Sequence, residues 1–355
     1  MKIVIFGLTN GYRHDGGQMV RWRALIQALA IRGHRVVAVE RAGPDAATPW
    51  TIPGGEVISY TGWDTVAVGA AAQADDAGVA LVVAHGPDAR AAADIARNSK
   101  AVRRVLYDPE APVSLTALEA GETVDHLPAD GLGGFDVVLA SCGGPALERY
   151  RAKAGAEAVA PLYPWIVPEV DKPGDFKREY LGDLCCIVAG PDGIREGLGN
   201  FFIDPAQRLT RRRFVLVGTG LPDGVPGASN ILNFPDLDPA EHANVLASAG
   251  LALTLARDDE RKIGWCPSDR LFLAAACGAA IVADQWEGLE SFFEPGREIL
   301  VAAQTDDVTT AMMLPRNHLT DLGRRARKRV LAEHSAERRV QELRSILDLK
   351  GGGDD

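Results

Sequence analysis

The sequence predicts an α/β protein built from two doubly wound, mostly parallel sheets, and three observations predict it. The chain has 355 residues, more than one hydrophobic core usually holds, so two domains are expected. Short apolar runs alternate with helical segments in both halves of the chain. Between the halves, the stretch PLYPWIVPEVDKP (161–173) interrupts this pattern. Because proline neither continues a helix nor occupies a central strand, we place the inter-domain linker there.

The first half opens with one complete βαβ unit. The apolar run KIVIF (2–6) predicts a buried strand, QMVRWRALIQALAIRG (18–33) predicts a helix that ends at Gly33, and RVVAVE (35–40) predicts the next strand. The same pattern predicts a helix at DARAAADIARNS (88–99). Further predicted strands are GEVISY (55–60), VALVVAHG (79–86), RRVLYD (103–108) and FDVVLAS (135–141).

The second half repeats the pattern and ends in a helical, charged segment. Its predicted strands are LCCIVAG (184–190), RRRFVLVGTG (211–220), SNILNF (229–234), LALTLAR (251–257) and AAIVAD (279–284). Residues 322–349 predict one long amphipathic helix. The expected domains are therefore 1–163 and 164–325, followed by a C-terminal helix (326–350) that packs back toward the first domain and a disordered tail (351–355).

Composition excludes several classes of function. The formal net charge of −10 argues against a nucleic-acid-binding surface, which needs clustered Lys and Arg. The opening MKIVIFGLTNG is too short for a signal sequence or a membrane span, so we expect a cytoplasmic protein without a membrane span. The five cysteines show no CxxC spacing, so we expect buried thiols and no metal site.

Ordered segments across most of the chain resemble one family. The run WCPSDRLFLAAACGAAIVADQWEGLESFFEPGREILV (265–301) resembles the donor-binding segment of CgeB-like (spore maturation type) glycosyltransferases, within the GT-B superfamily. HDGGQMVRWRALIQALAIRGHRVVAVER (14–41) and YDPEAPVSLTALEAG (107–121) resemble earlier segments of that family. The resemblance implies a GT-B fold, with two Rossmann-like domains facing across a cleft, the acceptor at the N-terminal domain and a nucleotide-diphosphate sugar at the C-terminal domain. It also implies transfer with retention of configuration and without an obligatory metal or other cofactor.

Without a metal, the leaving diphosphate must be stabilised by helix N-termini, backbone N–H groups and basic side chains. PSDR (267–270) predicts a helix start with Ser268 as the N-cap and Arg270 in the first turn. We expect Arg270 and Arg195 to contact the diphosphate, with Lys262 behind them. Each could instead be an ordinary surface residue.

The glycine pair Gly16–Gly17 resembles the pair by which GT-B enzymes bring backbone close to a donor or acceptor. A plain strand-to-helix turn would need glycine as well, so the pair alone is a weak signal.

Sugar transfer needs a group that deprotonates or polarises the acceptor hydroxyl. Asp108 and Glu110 stand at the end of a predicted strand and match the family's acidic pair, so they are the predicted catalytic residues. The alternative is that Asp-Pro starts a turn and Glu110 caps a helix. His14 and His85, each in a loop after a strand, are further candidates.

Leu273 departs from the family pattern. In similar sequences this position is commonly a glutamate that binds the donor ribose, and Trp265 stands where another glutamate is common. Asp269, Glu287 and Glu290 could substitute. The sequence therefore predicts a glycosyltransferase with altered ribose recognition; the alternative is a catalytically degenerate GT-B-like binding or scaffolding protein. A dehydrogenase is disfavoured because GxGxxG is missing after the first strand, whereas a nucleotide-sugar epimerase stays open.

Overall fold

The computed structural model describes residues 1–10, 18–43, 46, 50–188, 193–218, 228–235 and 237–348. The chain divides into two compact units. Unit 1 comprises Met1–Tyr163 together with the C-terminal segment that begins at Ala336, and unit 2 comprises Pro164–Ser335. The boundary after Tyr163 falls inside the proline-dense stretch.

Unit 1 is built around a seven-stranded sheet with the order β3-β2-β1-β4-β5-β6-β7, in which all pairs are parallel. The strands are β1 (Lys2–Asn10), β2 (Arg35–Ala42), β3 (Glu56–Tyr60), β4 (Val79–Val83), β5 (Arg103–Asp108), β6 (Val137–Ala140) and β7 (Val159–Pro161). The helices between them are α1 (Gln18–Ile31), α2 (Ala67–Asp75), α3 (Ala89–Asn98), α4 (Ala111–Glu119) and α5 (Ala146–Ala154).

The sequence of unit 1 explains this sheet. Its central strands are continuous apolar runs because both faces are covered, and β4 is buried at all five positions. β1 is longer than predicted. The register of its pairing with β2 shifts between Ile5 and Leu8, near Gly7, and the strand then continues to Asn10. Gly7 has φ of 78°, and a Cβ there would lie 2.0 Å from the carbonyl oxygen of Val83. Only glycine fits at this position.

Unit 2 contains a second parallel sheet, of six strands in the order β10-β9-β8-β11-β12-β13. The strands are β8 (Gly182–Ile187), β9 (Phe214–Val217), β10 (Ile231–Phe234), β11 (Ala249–Thr254), β12 (Ile281–Asp284) and β13 (Leu300–Ala302). The helices are α6 (Arg195–Leu198), α7 (Asp204–Arg208), α8 (His242–Ser248), α9 (Asp258–Ile263), α10 (Asp269–Ala276), α11 (Thr305–Ala311) and α12 (Arg316–Glu333). A π-helical segment, Gly199–Ile203, joins α6 to α7.

The prediction of one long C-terminal helix was wrong. The chain forms α12 and then α13 (Ala336–Leu347), with a break at His334 and Ser335. The carbonyl of His334 accepts a hydrogen bond from the backbone N–H of Ile166, and Ser335 forms a β-bridge with the same residue. The backbone of His334 and Ser335 therefore pairs with Ile166 instead of continuing α12. Helix α13 belongs to unit 1, where it packs against α1.

Candidate functional site

The first cluster of predicted residues lies in unit 2, at the start of α10. Ser268 caps this helix: its hydroxyl accepts a hydrogen bond from the backbone N–H of Leu271 at 3.3 Å. Asp269 and Arg270 occupy the first turn and are half-buried. Within the described residues, the Arg270 guanidinium has no hydrogen bond or ion pair, so a half-buried positive charge stands beside a helix N-terminus.

Arg270 and Leu273 line one small pocket below the carboxyl edge of the sheet. Ile187 and Thr254, the last residues of β8 and β11, also line it. The remaining lining residues are mostly apolar: Cys185, Leu246, Ala252, Leu253 and Ala274. In doubly wound sheets, ligands bind beyond the carboxyl ends of the strands. The pocket therefore offers one cation, one hydroxyl and an otherwise apolar wall.

The charge of Arg270 also reaches neighbouring titratable groups. Burial lowers the pKa of His242, at the start of α8, and the Arg270 charge lowers it further. Burial raises the pKa of Glu260 in α9, and Arg270 is among the cations that oppose this. The guanidinium thus creates a positive field at this edge of the sheet.

A buried carboxyl paired with an arginine lies at the end of β12. Asp284 is 1% exposed, and its carboxyl accepts hydrogen bonds from the Ala256 backbone N–H at 2.9 Å and from the Arg261 guanidinium at 3.3 Å. Burial raises the pKa of Asp284 to about 7, although both of these partners lower it. Arg261 also pairs with Asp258 in the same helix. This arrangement fixes α9 against the end of β12.

Trp265 connects the loops that follow β11 and β12. It has φ of 48°, a left-handed conformation that is a genuine outlier for a bulky side chain. Its backbone N–H donates to the carbonyl of Glu287 at 2.7 Å. Its ring packs on Gly288, where an added Cβ would lie 2.5 Å from the indole. Strained residues of this kind cluster at functional sites, so the loop that contains Trp265 is a candidate part of such a site.

The other predicted donor-site residues lie on the surface of unit 2. Arg195, Lys262, Glu287 and Glu290 are exposed, and the structure gives no side-chain hydrogen bond to any of these four within the described residues. Arg195 lies in α6, Lys262 lies in α9, and Glu287 and Glu290 lie in the segment after β12. The roles assigned to these residues stay predictions. Gly16, Gly17 and His14 lie outside the described residues.

In unit 1, Asp108 ends β5 as predicted, and its catalytic role stays a prediction. Asp108 is fully buried. Its carboxyl accepts hydrogen bonds from the Tyr150 hydroxyl at 2.7 Å and from the Glu110 backbone N–H at 2.9 Å. His126 Nε2 lies 3.3 Å from Asp108 Oδ1 and 3.0 Å from the Ser114 hydroxyl. The carboxyl therefore has three polar partners and no contact with solvent.

The electrostatics of this network follow from Asp108. Burial, together with the charge and hydrogen bond of Asp108, raises the pKa of Tyr150 well above its usual value, so the phenol stays a donor. For His126, burial lowers the pKa, but the hydrogen bond and charge of Asp108 outweigh this and raise it overall. Glu110 is half-buried just before α4, and its carboxylate raises the pKa of His126 as well.

Comparison with known proteins gives a partial family match. Residues 195–345 match a family model described as glycosyl transferase-like. This region includes α10 with Arg270 and Leu273, and the pair of Asp284 with Arg261. No curated protein sequence is significantly similar to the chain.

Solved structures resemble the chain over nearly its whole length. Sucrose-phosphate synthase from Thermosynechococcus elongatus gives a TM-score of 0.67 at 15% identity, covering 98% of both chains. The chain has the GT-B fold. HepE from Anabaena, in complex with UDP and glucose, gives 0.62 at 15% identity, covering 98% of this chain and 99% of HepE. BGT of phage T4, in complex with its UDP-glucose substrate, gives 0.63 at 11% identity, covering 98% of this chain and all of BGT.

These comparisons confirm the predicted fold class and support an enzyme of the glycosyltransferase type. Open α/β sheets bind ligands beyond the carboxyl ends of their strands, and Arg270 lines a pocket beside the last residues of β8 and β11. Among the described residues, no group of three His, Cys, Asp or Glu side chains could hold a metal ion. In the same part of the chain, no helix is long and apolar enough to cross a membrane.

Sequence reasoning missed four residues that the structure places beside Asp108 in unit 1 or at the end of β12 in unit 2. His126 and Tyr150 lie 18 and 42 positions from their partner Asp108, and no local motif connects them. Arg261 lies in α9, and its partner Asp284 ends a strand 23 positions later. The sequence contains one signal for this pair. Asp284 is a charged residue at the end of the apolar run AAIVAD, and a buried carboxyl needs a hydrogen-bonding partner.

Proposed function

We propose that this protein transfers a glycosyl group from a nucleotide-diphosphate sugar to a hydroxyl acceptor, and that Arg270 binds the donor diphosphate. The match of residues 195–345 to a glycosyl transferase-like family supports the reaction type. The UDP and UDP-glucose named for HepE and BGT support the donor class. CgeB-like membership and a cytoplasmic location belong to the proposal as well.

The observation that carries the proposal is the Arg270 guanidinium. A half-buried cation without a carboxylate partner is costly unless a ligand supplies the negative charge. Arg270 stands in the first turn of α10, where backbone N–H groups point outward and favour an anion. A diphosphate satisfies both the side chain and the helix end, and arginine suits it because its planar fork binds phosphate oxygens in pairs.

Leaving-group stabilisation follows from the same arrangement. As the bond between the anomeric carbon and the diphosphate breaks, negative charge grows on the departing oxygen. Arg270 and the N-terminus of α10 stabilise this charge without a proton transfer. The resemblance to CgeB-like enzymes supports metal-independent, retaining transfer. Activity in the presence of EDTA and NMR assignment of the product anomer test these two features.

A second candidate function, a catalytically degenerate binding protein, is favoured by Leu273. Leucine accepts no hydrogen bond, and the pocket that it shares with Arg270 offers one side-chain hydroxyl, that of Thr254. A ribose hydroxyl buried there without a partner costs about 1–3 kcal/mol. Such a protein would bind a nucleotide weakly and turn over no donor.

Calorimetry with UDP, GDP, dTDP and their sugars tests the proposal. We expect one nucleotide diphosphate to bind the wild-type protein and Arg270→Ala to weaken it. Arg297→Ala is the matched control, because Arg297 is an exposed arginine of unit 2 that pairs with Glu294. Release of nucleotide diphosphate from the bound donor then separates a transferase from a degenerate binder. If none of these nucleotides or nucleotide sugars binds, the proposal is contradicted.

A further inference from the structure

The Arg270 pocket of unit 2 holds few groups that bind a sugar hydroxyl. Thr254, at the end of β11, is the one residue with a side-chain hydroxyl among the described lining residues. Burial raises the pKa of the Cys185 thiol to about 12, so its sulfur stays neutral and is a poor acceptor. The other described walls are aliphatic: Ile187, Leu246, Ala252, Leu253, Leu273 and Ala274. The pocket therefore combines one cation and one hydroxyl with a largely apolar surface.

Leu273 presents apolar surface to a ligand that Arg270 binds. The two residues are three positions apart in α10, and both line the pocket. Residues at this spacing lie on the same face of a helix, with Cβ atoms ~5–6 Å apart. Leu273 is half-buried, whereas its neighbours Phe272 and Ala274 are buried, so part of its side chain is open to a ligand. A ligand held by Arg270 therefore meets an aliphatic side chain one turn along the helix.

The chemistry of transfer decides which part of a donor enters this pocket. A nucleotide sugar carries a ring on each side of its diphosphate: the sugar that is transferred, and the ribose of the nucleoside. The transferred sugar must stay within reach of the acceptor hydroxyl, so it is not the ring that packs against the strand ends. The ribose takes no part in the bond exchange. With the diphosphate at Arg270, the ring that the pocket can enclose is therefore the ribose.

The polar groups of the pocket match a deoxyribose better than a ribose. A ribose presents two neighbouring hydroxyls, at C2′ and C3′, whereas 2′-deoxyribose presents only the one at C3′. The Thr254 hydroxyl can pair with one of them. A second hydroxyl against Leu273 would lose its hydrogen bonds to water without gaining a partner, and a buried unpaired hydroxyl is costly. A methylene at C2′ instead gains from contact with the leucine.

We propose that the donor of this protein is a 2′-deoxynucleoside diphosphate sugar, and that Leu273 is the residue that selects it over a ribonucleotide. This inference rests on the proposed glycosyltransferase function and names the nucleotide class for the same site. It also gives Leu273 a different role from the one that it has in a degenerate binding protein. The leucine disfavours one class of donor and leaves the binding of the other class intact.

Titration calorimetry of UDP and dUDP tests this selection, because the two ligands differ only in the 2′-hydroxyl. We expect the wild-type protein to bind dUDP ~5- to 100-fold more tightly than UDP, the range set by an unpaired hydroxyl in an apolar pocket. GDP and dGDP should show the same order, since the selecting contact is to the ribose and not to the base. This comparison needs no variant.

Variants of Leu273 assign the selection to this residue. Leu273→Gln supplies an amide that can pair with the 2′-hydroxyl, so the preference for dUDP should be lost. Leu273→Met is the matched control, because methionine is apolar and similar in volume, and the preference should persist. Thr254→Val removes the hydroxyl that pairs with the ring, so it should weaken dUDP binding while the preference for dUDP over UDP remains.

The outcomes separate this inference from the proposed function. Equal affinity for UDP and dUDP, or tighter binding of UDP, by the wild-type protein would overturn the deoxynucleotide selection and leave the transferase proposal intact. A preference for dUDP that persists in Leu273→Gln would overturn the role of Leu273. Failure of the wild-type protein to bind any of these nucleotides would contradict the proposed function itself.

Discussion

Replacing Asp284 by asparagine should change how the stability of the protein depends on pH. Burial raises the pKa of this carboxyl from its ordinary 3.8 to about 7. Between these two values the folded chain holds a proton that the unfolded chain has released, so stability falls as the pH rises. Over the two units from pH 5 to pH 7, at about 1.4 kcal/mol per unit, the wild type loses roughly 3 kcal/mol that Asp284→Asn does not lose.

Differential scanning calorimetry at pH 5, 6, 7 and 8 measures this effect. For 150–250 residues, each kcal/mol corresponds to about 2–4 °C, so the Tm of Asp284→Asn should rise relative to wild type by roughly 5–10 °C across this range. The control is Asp321→Asn, an exposed carboxylate of α12 paired with Arg324, which should run parallel to wild type. A Tm difference between Asp284→Asn and wild type that stays constant with pH would refute the reasoning.

Three further predictions follow from single contacts. Leu273→Glu should tighten UDP binding about tenfold, because a carboxylate can accept a ribose hydroxyl in the Arg270 pocket; unchanged or weaker binding by calorimetry would place the ribose elsewhere. Gly7→Ala should lower the urea midpoint more than Gly33→Ala, since both have positive φ but only a Cβ at Gly7 meets backbone, at 2.0 Å from the Val83 oxygen; equal midpoints would contradict this. Tyr150→Phe should lower the free energy of unfolding by about 1.5–3 kcal/mol, because it removes a hydrogen bond to buried Asp108; a loss below about 0.5 kcal/mol in urea titrations would argue against that bond.

The fold could be predicted from the sequence because its signals are local. A parallel strand such as β4 is a continuous apolar run, and α10 begins at a Ser268 N-cap. Both can therefore be recognised in short stretches of sequence. The break between α12 and α13 could not be predicted in this way. It depends on hydrogen bonding to Ile166, 168 positions before His334, and nothing in the helical periodicity reveals that partner.

The site was predictable in position but not in detail. Parallel topology places Asp108 at a strand end, and that position is confirmed. Whether its side chain meets solvent depends on Tyr150 and His126, which arrive from α5 and from the loop after α4. Sequence reasoning assigned Arg270 by its place in a helix start. That no carboxylate forms a hydrogen bond or ion pair with its guanidinium, within the described residues, became visible only with the tertiary structure.

The central claim is that Arg270 binds the diphosphate of a nucleotide-sugar donor. Titration calorimetry of UDP against wild type, Arg270→Ala and Arg297→Ala tests it most directly. Loss of a charge-assisted contact worth about 1.5–3 kcal/mol should raise the Kd roughly 10- to 150-fold in Arg270→Ala, and the Arg297→Ala control should match wild type. Equal affinity of wild type and Arg270→Ala for UDP would contradict the account.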